Sequence, residues 1–231
     1  MSRTVVFARE QLRAPLTLAL LVSIPALFVV AAAGALSDFA SALGGDLAGD
    51  AAVALSAGWA AAFVSGALGF FQAVSSHGAD RRLALAGLGP MRVAVSRIAA
   101  SMLLATLAAA AAFAAVAIKT ELAHPWHAAV AIWSFALLYL SIGVLVGSIV
   151  RAPLEGSLLV VFVFLLDAFA GPGMSASAPP WAVSQKAADI LIAAGLGVSS
   201  PTGDWVKLAL VTGGALIAAL VVFGAAARSR A

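Results

Sequence analysis

Few side chains in this sequence are spaced to do chemistry. Asp167 is the one carboxylate embedded in an apolar run, SLLVVFVFLLDAFA, close to its far end. Carboxylates inside a membrane usually face a protein interior or water. Asp167 is therefore a candidate for lining a translocation path. The alternative is a carboxylate that caps or hydrogen-bonds the Gly171-Pro172-Gly173 break that follows it. A proton relay needs more than one such group, which disfavours a proton-driven carrier. His124 and His127 stand three apart, but Pro125 lies between them and no acidic cluster surrounds them, so no metal site is expected. Asp80, Arg81 and Arg82 stand beside Leu83, Leu85 and Leu88 in the stretch HGADRRLALAGLGPMRVAVSR, His77–Arg97. Charge next to an apolar stripe suits docking a partner, not making or breaking a bond; the alternative is a basic loop that only fixes topology. No GxxxxGK[ST], HExxH or GxSxG motif occurs. No catalytic residue is assigned, and the chain has no phosphate loop of its own for ATP. Cysteine is absent, which removes disulfides and thiolate metal sites.

The elements that carry these residues are apolar. Of 231 residues, 63% are hydrophobic and 10% charged, and the mean hydropathy is +1.09. A soluble domain is about one quarter charged, so an all-α, polytopic membrane protein forming a single transmembrane domain over residues 1–231 is expected. The pI near 10 does not indicate nucleic acid, because the basic residues sit between apolar runs and form no single patch.

A membrane span needs about 20 apolar residues. Six runs qualify or nearly so: 15–36, 52–76, 94–118, 128–150, 157–170 and 205–227. Ahead of the first, residues 1–14 carry Val5, Ala8 and Leu12 on one stripe and Arg9 with Arg13 at i, i+4. That pattern predicts an amphipathic interfacial helix with its arginines toward lipid phosphates. Pro25 predicts a kink in span one. An acidic loop, SDFASALGGDLAGD, follows. Gly58, Ala62 and Gly66 in span two, and Gly143 with Gly147 in span four, are small-residue faces for close helix packing. Between spans two and three the carboxylate of Asp80 suits a helix start, while Gly87, Gly89 and Pro90 suit a stop, predicting a short helix over 79–90. Residues 181–198, with Lys186 and Asp189 after a Gly-Pro break, are too polar to span and predict a re-entrant or interfacial segment.

Charge decides orientation. All ten arginines fall in the N-terminus, the two-to-three loop, the four-to-five loop or the C-terminus, and the three lysines fall on the other side. Positive residues mark the cytoplasm, so a multi-pass protein of the cytoplasmic membrane with both termini inside is expected.

Taken together, the amphipathic segment before span one, the loop ADRRLALAGLGPMRVAVSR, the six spans with both ends inside, the broken FAGPGMSASAPPW after span five and Ser200-Pro201 before span six resemble the membrane subunit of an ABC type-2 transporter permease. The resemblance covers nearly the whole chain. It implies that residues 79–90 are a coupling helix docking on a separate ATPase subunit through Asp80, Arg81, Arg82, Leu83, Leu85 and Leu88. The sequence lacks the glutamates that members often carry ahead of that helix. The resemblance further implies a second membrane subunit, identical or related, and ATP with Mg bound on the partner ATPase and none on this chain. The function expected from it is export of an amphipathic or hydrophobic substrate such as a drug, lipid, peptide or glycan-like molecule. The alternatives are a secondary carrier or ion channel, against which the lack of buried charged pairs and of an inverted repeat argues, and a non-transporting membrane scaffold or immunity protein.

Overall fold

Proline begins three of the long helices. It sits at the first helical position of α3 (Pro90–Lys119), α4 (Pro125–Ile149) and α5 (Pro153–Ala170), where its fixed φ fits and its missing N–H has no partner to lose. The computed structural model describes residues 15–47, 49–83, 89–150, 152–174 and 182–228. Among the described residues the remaining helices are α1 (Pro15–Ala42), α2 (Gly49–Leu83), α6 (Gln185–Gly195) and α7 (Thr202–Arg228). All except α6 are long and apolar enough to cross a membrane. The protein is an all-helical, multi-pass membrane protein. Its outward surface agrees: Leu27, Val30, Leu158, Phe162, Leu210 and Ile217 are exposed, which suits lipid and not water.

Most of the helices run longer than the apolar runs that mark them, usually at one end, where less apolar residues continue the helix. Six residues of the expected acidic loop, 37–42, belong to α1. That helix ends at Gly44, whose φ of +76° lets the Gly45 N–H reach back to the Ala40 carbonyl at 2.8 Å. Asp50 opens α2, where a carboxylate suits the N-terminal dipole. Pro25 lies inside α1, which stays helical through it.

The short helix expected over 79–90 does not begin at Asp80. The backbone of α2 continues unbroken to Leu83, so Asp80 lies inside a helix and not at the start of one. Nothing between Ser76 and Leu83 stops a helix; only Gly78 is a weak former. The seven residues 77–83 extend α2 by roughly 10 Å at about 1.5 Å each beyond Ser76, where its apolar run gives way to HGADRR. Gly89, with φ +72°, immediately precedes Pro90 at the start of α3. Leu85 and Leu88 lie outside the described residues, as do Arg9 and Arg13 of the expected interfacial helix.

The two most buried spans, α2 and α4, form the centre and pack most extensively on each other. The expected small residues meet there. A Cβ on Gly143 would run into the Gly66 carbonyl oxygen and stand 2.8 Å from the Phe70 nitrogen, and one on Gly147 would stand 2.8 Å from the Phe70 carbonyl oxygen. Side chains that small let the two backbones touch. Helices α1 and α5 lie against α2, and α3 and α7 against α4. At 11 residues, about 16 Å long, α6 cannot span. It is wedged between α2 and α4, with Ala187, Ala188, Ile190, Leu191 and Ala194 fully buried, its Leu191 beside Gly58 and its Gly195 against Ala51.

Candidate functional site

Two polar places stand out inside the bundle, at opposite ends of it. The first is Asp167, on the last turn of α5 and only 3% exposed. It accepts a hydrogen bond from the Tyr139 hydroxyl of α4 at 2.6 Å. The Ser184 backbone N–H, at the start of α6, points at both of its oxygens at 3.3 and 3.4 Å. A positive helix N-terminus and a phenol thus meet one carboxylate. Phe164 packs edge-on against Tyr139, with centroids 5.7 Å apart. The carboxylate reaches across the Gly171-Pro172-Gly173 break and ties α4, α5 and α6 together.

A salt-bridged cluster links α6 onward to α7. The Lys186 ammonium lies 2.8 Å from Asp189 and 3.1 Å from Asp204. Its pKa is raised above the usual lysine value of 10.5, first by the Asp189 hydrogen bond and also by Asp204, against a lowering by burial. A raised folded pKa means that the cluster's contribution is complete below pH 10.5 and is lost only as pH climbs through the higher folded value. Lys186→Met should therefore lower thermal stability in detergent by about 1 kcal/mol or less at pH 7 and equally at pH 9, with the gap from wild type closing only above the lysine range. On the same face the His124 and His127 rings lie 5.1 Å apart, and His127 rests 5.0 Å from Trp205.

The second place is a groove of about 830 Å³ at the arginine-bearing end. Leu20, Leu21 and Ile24 of α1 form one wall, Val64, Leu68 and Phe71 of α2 the back, and Pro153 of α5 the far edge. The groove exists because α1 and α5 flank α2 without substantial mutual packing, and meet toward the other end, where the Phe39 and Phe169 rings are 5.9 Å apart. Leu20 and Phe71 remain 46% and 54% exposed, so the groove opens sideways. Its polar residues are Gln72, Ser75 and Arg97. The Ser101 hydroxyl donates to the Gln72 side-chain oxygen. Gln72 is 9% exposed, and its amide nitrogen has no hydrogen-bond partner among the described residues.

Asp167 does not line this groove. The backbone of Asp80, Arg81, Arg82 and Leu83 forms the last turn of α2, beyond it. Sequence reasoning missed Tyr139 and Gln72. Each carried a signal: Tyr139 is the only tyrosine of the chain, and Gln72 the only amide in the run 52–76. Their partners lie 28 and 29 positions away, on other helices.

The chain matches no family model, no curated protein and no solved structure.

Proposed function

We propose that this chain is the transmembrane subunit of an ABC-type exporter, moving an amphipathic or hydrophobic substrate out of the cell on ATP hydrolysed by a separate subunit. The observation that carries the reading is the α2–α3 hairpin. In a bundle of six apolar helices, the backbone of α2 does not stop where its apolar run ends at Ser76 but carries on through Asp80, Arg81, Arg82 and Leu83, at the end where the arginines gather. That is the arrangement a docking tip requires, and the resemblance of the sequence to type-2 permeases supports it. In this reading the arginine-bearing end faces the cytoplasm, ATP and Mg sit on the partner, and a second membrane subunit completes the pathway. ATP hydrolysis drives the change by favouring one of two packings of the spans.

The test is copurification of an ATPase chain from the native membrane, followed by substrate-stimulated hydrolysis in nanodiscs. Leu83→Asp or Leu85→Asp should release the ATPase or uncouple hydrolysis, because a Leu buried in a cleft is worth about 1.5–3 kcal/mol. Arg81→Ala should be milder, since an exposed ion pair is worth roughly 0–1 kcal/mol. All three variants should still insert. If both Leu→Asp variants retain the ATPase and its stimulation, the hairpin is not the coupling element.

A further inference from the structure

We propose that the groove between α1 and α5 is a binding site for an anionic phospholipid of the surrounding bilayer, with an acyl chain along α2 and the phosphodiester at Gln72 and Arg97. The proposal does not need the exporter reading; the groove would hold a lipid whether or not an ATPase docks below it.

Three observations carry it. The first is place. The apolar walls, Leu20 to Ile24 and Val64 to Phe71, lie within the spanning parts of α1 and α2. The groove is therefore at hydrocarbon depth and opens toward lipid, where a chain can enter without leaving the bilayer. At about 830 Å³ it falls in the range of sites that bury a ligand of drug size. The second is polarity along its length. Val64 and Leu68 stand toward the membrane centre, and Gln72 and Ser75 follow one and two turns later toward the arginine-bearing end. This sequence of apolar then polar wall matches a lipid lying with its head at the interface. The third is the unmet donor. The Gln72 amide nitrogen is buried and lacks a partner among the described residues, while its oxygen accepts from the Ser101 hydroxyl, and Gln72 itself lines the groove. A buried donor left unmade costs roughly 1–3 kcal/mol, and an acceptor-rich ligand would remove that cost. Arg97, a residue with a partner of its own within the protein, brings a guanidinium to the same end. Guanidinium and amide donors together match a phosphate oxygen. A zwitterionic head group would bring its own cation to the same place.

The experiment uses the chain alone, in detergent, with native mass spectrometry to count lipid retained from equal additions of phosphatidylglycerol and phosphatidylcholine bearing the same chains. Wild type should retain the anionic lipid roughly tenfold better, because the choline ammonium of phosphatidylcholine would stand beside the like charge of Arg97 and offset its attraction for the phosphodiester. Arg97→Gln should erase that preference and leave phosphatidylcholine retention unchanged. Gln72→Leu should reduce it in the same direction and serves if Arg97→Gln fails to fold. Ala67→Phe, which fills the groove, should cut retention of both lipids. Equal retention of the two lipids by wild type would overturn the proposal. So would unchanged retention in Ala67→Phe, or displacement of phosphatidylglycerol by millimolar inorganic phosphate, which would assign the polar end to a free anion. Loss of ATPase copurification leaves every one of these outcomes as it stands, so the two readings fail separately.

Discussion

Asp167→Ala is expected to lower the stability of the folded chain in detergent by about 2–5 kcal/mol, since each buried donor stripped of its acceptor costs roughly 1–3 kcal/mol. Two donors are stripped: the Tyr139 hydroxyl and the Ser184 N–H. Hydrogen bonds between spans are often weak, averaging about 0.6 kcal/mol in one well-measured case. This one should exceed that average, because the acceptor is a carboxylate and one donor is backbone at a helix start. Tyr139→Phe removes a single donor and should cost less, about 1–2 kcal/mol. Asp167→Asn keeps the shape and one acceptor oxygen, and should fall between Tyr139→Phe and Asp167→Ala. The double variant Asp167→Ala, Tyr139→Phe should lose less than the sum of its parts, the mark of a direct contact. Hydrogen exchange provides the local readout: residues 184–195 should exchange faster in Asp167→Ala while the middle of α4 stays protected. Melting and exchange within about 0.5 kcal/mol of wild type, the range of an ordinary surface change, would show that the carboxylate does not hold α6.

The second large effect belongs to the α2–α4 crossing. Gly143→Leu should leave little folded protein, and Gly143→Ala should already cost at least about 1–3 kcal/mol, the usual range for an overpacked core. The added carbon would meet the Gly66 carbonyl and the Phe70 backbone nitrogen. Backbone cannot swing aside as a side-chain tip can, so the two central helices must separate, and everything packed on them must follow. Gly66→Ala is the control. Its Cβ would stand 3.5 Å from the Tyr139 carbonyl oxygen, an ordinary contact, and Ala is the better helix former by up to about 1 kcal/mol. It should melt at or slightly above the wild-type temperature. Size-exclusion profiles of detergent extracts, heated in steps, measure all three. A Gly143→Ala protein as stable as Gly66→Ala would mean that the Gly143 Cα does not approach the Gly66 carbonyl closely enough to exclude a methyl group.

Much of this molecule is legible from one dimension because its solvent is a bilayer. An apolar run must be a helix there, since no water satisfies its backbone, and so all six spans could be counted from composition and length. The small residues Gly66, Gly143 and Gly147 pointed to a close crossing, while Pro125 and Pro153, which begin α4 and α5 a few residues ahead of the apolar runs, went unread. The sequence did not say which helices cross. Gly66 meets Gly143 and not another small residue because α2 and α4 are the two central spans, and centrality is a property of the assembled bundle. Helix ends were also misjudged where hydropathy is silent. Asp80, Arg81 and Arg82 read as a break between apolar runs, yet the backbone carries straight through them, because charge ends a span without ending a helix. Asp167 was visible as an anomaly, and a hydrogen-bonding role at the Gly-Pro break was one of its two readings, but its partners were not visible, since Tyr139 and Ser184 reach it only when α4 and α6 fold against α5. The groove is the furthest from the sequence. It is made by the divergence of α1 and α5 over α2, and a space between helices leaves no residue pattern until the helices that bound it are packed.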